Sequence, residues 1–207
     1  GEGKYRAVDD RPFGGGEGMV LRPTVFEKAL AFYFSGGPNR ASPPDGHVST
    51  GGTLPGLPLA DEETTRKIAS LEKSVSDYKK KSSDTSESMP ATEGTRFIYL
   101  SPQGRRLTSA LARQLATESN PLVLLCGHYE GVDERILETF FHEEISIGDY
   151  VLTGGEPAAL GLLDAVSRFL PGVVGDEKSV SQDTFEGEEG YLKHPVYTRP
   201  AVWREKS

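Results

Sequence analysis

The residues best suited to chemistry lie in polar, glycine-containing loops that follow apolar runs of the sequence. The clearest loop is Gly154-Gly155, which separates residues 146–153, patterned like a short strand, from residues 160–169, whose apolar members recur at helical spacing. A glycine turn before a helix exposes backbone N–H groups to which polar parts of a ligand can bind. Taken alone, the pattern is equally typical of an ordinary strand-to-helix turn.

Two further segments repeat this strand-loop-helix order. The β-rich run 96–100 ends in the loop 101–104, and the continuous apolar run 121–126 ends in the polar loop 127–135. An apolar run of this kind is typical of a strand buried on both faces of a parallel sheet. The three repeats therefore predict an α/β fold with a parallel sheet and a binding site along one edge.

A fourth loop lies near the start of the chain. Asp9-Asp10-Arg11-Pro12-Phe13 precedes four glycines within five positions, and a helix is predicted over residues 25–34. A flexible linker is the alternative, but linkers seldom contain a motif such as Asp-Asp-Arg-Pro-Phe directly before the glycines. A binding loop is favoured, because glycines let the backbone approach a flat or charged ligand.

The middle of the chain differs in composition. Residues 35–58 are dense in Gly, Pro and Ser and predict a disordered loop, whereas residues 61–81 are highly charged and predict a solvated helix. We expect residues 36–93 to form an insertion that contributes little to the core. Lys79-Lys80-Lys81 could contact phosphate, although a solvated helix end is the favoured interpretation.

The totals exclude several classes of protein. The 207 residues suffice for one sizeable core, and a net charge of -8 argues against an overall basic surface for nucleic acid without excluding a local basic patch. Cys126 is the single cysteine, which excludes an intrachain disulfide and favours a buried, inert thiol in a reducing compartment. We expect no membrane span. His128, His142 and His194 lack metal-ligand spacing and are predicted to be surface or loop residues.

No dinucleotide, P-loop or nucleophile-elbow fingerprint is present. Five ordered segments instead resemble the bacterial tRNA (guanine-N1)-methyltransferases of the TrmD type: Val-Asp-Asp-Arg-Pro-Phe-Gly-Gly-Gly-Glu-Gly-Met (8–19), Tyr-Leu-Ser-Pro-Gln-Gly (99–104), Cys-Gly-His-Tyr-Glu-Gly-Val-Asp-Glu-Arg (126–135), Ser-Ile-Gly-Asp-Tyr-Val-Leu-Thr-Gly-Gly-Glu (146–156) and His-Pro-Val-Tyr-Thr-Arg-Pro (194–200). The resemblance covers residues 5–34 and 96–204. Five ordered motifs are much more specific than any one of them.

The resemblance implies a single domain over residues 1–207 with the SPOUT methyltransferase fold, an α/β fold whose C-terminal half is knotted as a trefoil, in an obligate homodimer. It also implies that S-adenosylmethionine binds among the three strand-end loops. The implied cofactor-binding residues are Tyr99, Leu100, Ser101, Pro102, Gln103, Gly104, Gly127, Tyr129, Glu130, Gly131, Ser146, Ile147, Gly148, Tyr150, Leu152, Gly154 and Gly155.

The resemblance further assigns Asp183 as general base and Arg168 as the group that stabilises the guanine oxygen. Without it, a loop aspartate and a solvated helix-end arginine would be the favoured interpretations. Thr184 stands where family members have Ser, which keeps the hydroxyl. Asp10 and Arg11 are implied to bind substrate. A Mg²⁺ ion near Glu130 and Asp183 is implied by the family, although these residues lack ligand spacing.

The expected function is cytoplasmic, S-adenosylmethionine-dependent methylation of N1 of the guanosine 3′-adjacent to the anticodon in tRNA. The alternative is a catalytically impaired member that binds RNA or adenosylmethionine. This alternative rests on expected departures from the family: we expect the sequence to lack the family's first strand and helix and its helical, tRNA-binding C-terminal domain, and the insertion to replace a short connection.

Overall fold

A computed structural model describes residues 7–34, 61–82, 94–118, 120–175, 183–185, 192–202 and 204. The expected disordered loop over 35–58 and the end of the insertion, 83–93, lie outside these residues. Along the chain, the elements are β1 (Asp9–Asp10), β2 (Val20–Leu21), α1 (Pro23–Phe34), α2 (Glu62–Ser82), β3 (Arg96–Arg106), α3 (Ser109–Glu118), β4 (Leu122–Cys126), α4 (Glu134–Phe140), β5 (Glu143–Ser146) and α5 (Glu156–Ser167).

A three-stranded parallel sheet organises the described chain, and it confirms the predicted α/β class. Its order is β4-β3-β5, so β3 is central, with Phe97 paired to Val123 on one side and Leu100 paired to Ile145 on the other. β3 is apolar at successive positions because both of its faces are covered by helices.

Helices cover the two faces of this sheet and form two clusters of buried side chains. Successive residues of β3 point to opposite faces. The first cluster joins α1, α2 and α4 to one face through Phe26, Leu30, Leu71, Val75, Phe97, Tyr99, Ile136, Leu137, Phe140 and Phe141. The second joins α3 and α5 to the other face through Ile98, Leu100, Leu111, Ala112, Leu115, Ile145, Ala158, Leu162 and Val166.

Helix α2 corrects the expectation that the middle segment contributes little to the core. Leu71 and Val75 are 6% and 1% exposed, and Ile68 packs beside them. The spacing of three and four residues places these side chains on one face, and that face packs against the first cluster. The bounds predicted for the helix, 61–81, agree with the observed bounds to within one residue, but its interpretation as a solvated element is wrong.

Lys79 contacts the end of α4. Its Nζ donates hydrogen bonds to the carbonyl oxygens of Leu137 and Glu138, at 2.9 and 3.0 Å. These carbonyls belong to the last turn of α4, where the helix dipole favours a cation, and the Leu137 carbonyl also accepts from the Phe141 N–H at 3.3 Å. Partial burial lowers the pKa of Lys79. The lysine thus ties α2 to the end of α4.

His142 lies in the loop between α4 and β5, as one of the two predicted alternatives has it, but it is 3% exposed and therefore not a surface residue. Its Nδ1 accepts a hydrogen bond from the Phe97 N–H at 3.1 Å, and its Nε2 lies 3.2 Å from the Ser74 Oγ. An accepting Nδ1 leaves Nε2 as the protonated nitrogen of a neutral ring. Burial first, and then the charge of Arg96, lower the pKa of His142 to about 4.

Arg96 is the second buried polar group beneath α2. Its guanidinium, 1% exposed, pairs with Glu118 and with Glu143, the latter at 2.5 Å. Burial opposes the charge, but the two carboxylates outweigh it and raise the pKa of the arginine. The Tyr78 hydroxyl accepts from the same guanidinium at 3.4 Å. The charged cluster therefore links α2, α3 and β5 to the first residue of β3.

The strand before the glycine turn is shorter and earlier than predicted. β5 ends at Ser146, and residues 147–155 form a loop. The Ser146 hydroxyl both accepts from the Gly148 N–H and donates to the Gly148 carbonyl, which closes a tight turn directly after the strand. In the described part of the chain, no helix has the length and apolar character needed to cross a membrane.

Candidate active site

The three predicted loops meet at the carboxyl end of the parallel sheet and enclose a cavity of about 470 Å³. Small-molecule sites occupy roughly 300 to 1,000 Å³, so this volume suits a cofactor-sized ligand. Every residue that the sequence assigned to cofactor binding lines the cavity except Gly104: Tyr99, Leu100, Ser101, Pro102, Gln103, Gly127, Tyr129, Glu130, Gly131, Ser146, Ile147, Gly148, Tyr150, Leu152, Gly154 and Gly155.

Gly104 lies on the far side of its loop. A Cβ at this position would be 2.5 Å from the Glu144 carbonyl carbon and from the Ile145 nitrogen. β3 continues through this residue and pairs again with β5 at Arg105 and Arg106. The glycine therefore allows β3 and β5 to approach each other closely. This gives Gly104 a structural reason to be in the motif although it does not line the cavity.

Gly155 brings two walls of the cavity together. Its N–H donates to the Gly127 carbonyl at 3.0 Å, and a Cβ on it would lie 2.7 Å from the Cys126 Cα. The preceding residue, Gly154, forms an antiparallel bridge with His128. Beside them, the His128 Nε2 lies 2.7 Å from the Glu156 Oε1. The end of β4 and the start of α5 are thus joined by backbone and side-chain contacts.

Carboxylates dominate the charge of the cavity. Glu130, Glu134 and Glu144 line it, whereas none of the described residues around it is a lysine or arginine. Burial, followed by Glu144 and Glu134, raises the pKa of the Tyr99 hydroxyl, so this group stays neutral. An anionic cavity with apolar and backbone walls favours a ligand that carries positive charge.

Cys126, at the end of β4, is half-buried. Burial and then the carboxylate of Glu156 raise the pKa of its thiol. A raised pKa disfavours the thiolate, which is the nucleophilic form. The thiol is half-buried rather than buried, and the direction of its pKa favours the predicted inert form.

The glycine-rich loop forms a hairpin that packs beside the cavity. β1 and β2 pair antiparallel, with Asp10 opposite Val20. The Glu130 N–H donates to the Met19 carbonyl at 3.1 Å, and the Leu21 N–H donates to the Gly131 carbonyl at 3.1 Å. The hairpin is therefore hydrogen-bonded to the cavity loop over 130–131.

Asp10 and Arg11 lie at the end of β1 in this hairpin and do not line the cavity. The Arg11 N–H donates to the Asp10 carboxylate at 2.8 Å. At the other side of the hairpin turn, Gly18 has a φ of +85°, and a Cβ on it would lie 2.3 Å from the Glu130 Cγ. The hairpin thus touches the cavity through Glu130, while the two residues assigned to substrate remain outside it.

Arg168 and Asp183 are in direct contact although fifteen residues separate them in sequence. The Arg168 Nη2 donates to the Asp183 Oδ2, and the Lys193 Nζ lies 3.2 Å from the Asp183 Oδ1. The Thr184 N–H donates to the same Oδ1 at 2.9 Å. The Arg168 bond first, then those from Thr184 and Lys193, lower the pKa of Asp183 to about 2. Neither Arg168 nor Asp183 lines the cavity of its own chain.

Sequence reasoning missed several lining residues, among them His128, Glu134 and Glu144. His128 and Glu134 lie within the motif 126–135, so their position in the loop was available as a signal. Glu144 lies one residue before the buried Ile145 of β5, and only the alternation of strand faces indicates it. Within the described ranges, no group of three or more His, Cys, Asp or Glu side chains could hold a metal ion.

The parallel sheet with a cofactor-sized cavity at the carboxyl ends of its strands places the protein in the α/β class, in which ligands bind at this edge of the sheet. The family described as tRNA (Guanine-1)-methyltransferase TrmD matches residues 77–207, and the chain belongs to this family. The match begins within α2.

The chain is similar over nearly its whole length to curated relatives. It is 42% identical over 202 residues to the tRNA (guanine-N(1)-)-methyltransferase of Dechloromonas aromatica (strain RCB), covering 98% of this chain and 59% of the relative. It is 38% identical over 206 residues to the protein of that name from Pelagibacter ubique (strain HTCC1062), covering 100% and 64%. The chain therefore spans about six tenths of the length of these relatives.

Proposed function

We propose that this protein transfers a methyl group to N1 of the guanosine 3′-adjacent to the anticodon in tRNA. The observation that carries the proposal is the convergence of the three family loops on a single anionic cavity. Family membership and the printed activity of the relatives support the same reaction. The contact between Arg168 and Asp183 argues against the catalytically impaired alternative, because both groups are present and adjacent.

The cavity fits S-adenosylmethionine by its chemistry. When bound, this cofactor supplies a methyl group on a positively charged sulfur. Glu130, Glu134 and Glu144 provide negative charge around such a cation, while the exposed backbone groups of the loops can bind its polar ends. The half-exposed ring of Tyr150 and the apolar side chain of Leu152 offer surface for its base.

Asp183 and Arg168 can supply the base and the hydrogen-bond donor that methylation of guanine N1 requires. N1 carries a proton at neutral pH, so a base must remove it as the new N–C bond forms and the S–C bond breaks. We assign the proton to Asp183. Negative charge then develops on O6, and the guanidinium of Arg168 stabilises it by a charge-assisted hydrogen bond. In this structure Arg168 is hydrogen-bonded to Asp183. Since the proposed reaction needs Arg168 at O6 and Asp183 at N1, guanine must displace this hydrogen bond when it binds.

A second copy of the chain would complete the site. The pair Arg168–Asp183 lies outside the cavity of its own chain, and α5, the helix that leads to Arg168, exposes Leu160 and Leu163 at 68% and 49%. An apolar face of this kind on a charged protein favours association. We therefore propose a homodimer in which the pair of one protomer serves the cavity of its partner.

We further propose that the sheet is part of the trefoil-knotted SPOUT fold and that the protein acts with tRNA in the cytoplasm. The parallel sheet with the order β4-β3-β5 and membership of the TrmD family support this fold. Asp10 and Arg11, held at the edge of the site by the hairpin, are assigned to tRNA.

A Mg²⁺ site is not part of this proposal. The described residues form no divalent-cation cluster, and Asp183 is already bound by two cationic side chains. We derive no step through this ion.

Methyl transfer from labelled S-adenosylmethionine to tRNA transcripts tests the proposal. A transcript with guanosine 3′ of the anticodon should accept label, and the same transcript with adenosine there should not. Equal labelling of both would refute the assigned target. Tight cofactor binding without labelling of either would instead favour the binding-only alternative.

A further inference from the structure

We propose that Lys193 is a positioning residue that anchors one oxygen of Asp183 and so determines which oxygen acts as the base. The proposal rests on the function proposed above and adds a residue that the sequence motifs did not include. It follows from how the hydrogen bonds are divided between the two carboxylate oxygens.

The two oxygens of Asp183 have different partners. Oδ2 accepts only from Arg168 among the described residues, whereas Oδ1 accepts from the Thr184 N–H at 2.9 Å and faces the Lys193 Nζ at 3.2 Å. Arg168 is the partner that the guanine oxygen would draw away. The oxygen released by this exchange is Oδ2, while Oδ1 keeps both of its partners.

Lys193 is itself held in place from the backbone. Its N–H donates to the Thr184 Oγ1 at 3.3 Å, which fixes the segment 192–202 against residues 183–185. The lysine side chain is 45% exposed and that of Asp183 is 33% exposed, so the pair is an accessible one. This backbone contact does not depend on the ammonium group, and a change of the side chain alone leaves it intact.

The physical consequence is a fixed carboxylate in the reacting complex. Once Arg168 has turned to the guanine, an unanchored aspartate could rotate and present either oxygen. Lys193 and the Thr184 N–H restrain Oδ1, and Oδ2 then faces the position that Arg168 left. The proton of guanine N1 passes to this oxygen, and the ammonium of Lys193 keeps its own protons.

The test compares Lys193→Met with Lys193→Arg in the purified protein, using single-turnover methylation of the guanosine transcript. An exposed charge pair contributes at most a factor of about five in an equilibrium, so we expect Lys193→Met to lower the methylation rate about fivefold. KM for tRNA and the Kd for S-adenosylhomocysteine should not change. Lys193→Arg keeps the charge and should recover most of the rate.

A double variant separates positioning from a structural role. If Lys193 acts through Asp183, then Lys193→Met should have no further effect in a chain that already carries Asp183→Asn. Lys73→Met, on the exposed face of α2, controls for the loss of one positive charge and should retain the rate of the original protein.

The outcomes are distinguishable from failure of the proposed function. Absence of methylation by the unchanged protein would refute the proposed reaction. Methylation at an unchanged rate in Lys193→Met would overturn the role of Lys193 alone. A loss that Lys193→Arg does not recover, or that appears equally on the Asp183→Asn background, would also overturn it.

Discussion

Gly155 offers the sharpest test of the cavity, because its surroundings are backbone atoms that cannot turn aside. Its φ of -79° suits any residue, so Gly155→Ala introduces crowding without backbone strain. The new Cβ would lie 2.7 Å from the Cys126 Cα and 3.1 Å from the Gly127 nitrogen. Ordinary contacts begin at 3.4 Å, so β4 and α5 must separate by about 0.7 Å.

The separation should weaken cofactor binding more than it weakens the fold. Overpacking of a tight contact costs about 1 to 3 kcal/mol. If most of this cost falls on the cavity wall, the Kd for S-adenosylhomocysteine rises about ten- to hundredfold. Isothermal titration calorimetry measures the Kd, and thermal unfolding followed by circular dichroism shows whether the variant is folded.

Two other glycines provide matched comparisons. A Cβ on Gly161, in the exposed face of α5, meets no atom within 4 Å, so Gly161→Ala should keep the Kd and stabilise the helix by about 1 kcal/mol. At Gly154 a Cβ would lie 2.6 Å from the Glu156 Oε2 and 2.9 Å from the His128 Cε1, which are side-chain ends that can move. Gly154→Ala should have an intermediate effect. A folded Gly155→Ala variant with an unchanged Kd would refute the proposal that the close contact of β4 and α5 at Gly155 is needed for cofactor binding.

Three further predictions concern the catalytic pair and the helix α2. Arg168→Ala should leave the Kd for S-adenosylhomocysteine unchanged and lower the methylation rate about hundredfold, the usual effect of removing one stabilising donor; an unchanged rate would exclude Arg168 from the chemistry. Burial holds the pKa of His142 at about 4, below the ordinary 6.5, so between these two pH values the unfolded chain binds a proton that the folded chain does not. The free energy of unfolding should therefore fall by about 2 kcal/mol between pH 7 and pH 5. Chemical denaturation should show this fall in His194→Gln, which keeps His142, and should not show it in His142→Gln. Lys79→Met should lower the free energy of unfolding by no more than about 1 kcal/mol through loss of its bonds to the end of α4, and Lys73→Met should have no effect in the same denaturation experiment.

The repeated strand-loop-helix pattern was sufficient to predict the parallel sheet and the loops that meet at its edge. Parallel strands place their carboxyl ends together, so three polar loops after three apolar runs could be assigned to one site from sequence. The strand order β4-β3-β5 could not be predicted, because it depends on long-range pairing that no local pattern encodes. For the same reason, the contact between Arg168 and Asp183 could not be predicted; the family resemblance implied only their separate roles.

The errors concern residues whose environment comes from distant parts of the chain. Ile68, Leu71 and Val75 form a clear helical stripe, but the charged residues around them favoured a solvated interpretation. His142 is buried because Phe97 and Ser74 supply partners for both ring nitrogens. Residues 146–153 alternate like a strand, yet the observed strand ends at Ser146, the first residue of this range, because Ser146 and Gly148 close a turn there. Local pattern predicts an element well and its partners poorly.

The product of the reaction gives the most direct test of the central claim. Incubation of the purified protein with S-adenosylmethionine and a tRNA transcript, followed by nucleoside mass spectrometry and primer extension, identifies both the modified atom and its position. We expect 1-methylguanosine with a reverse-transcription stop at the guanosine 3′ of the anticodon, because a methyl group on N1 blocks base pairing. A methyl group on another atom or at another nucleotide would contradict the claim.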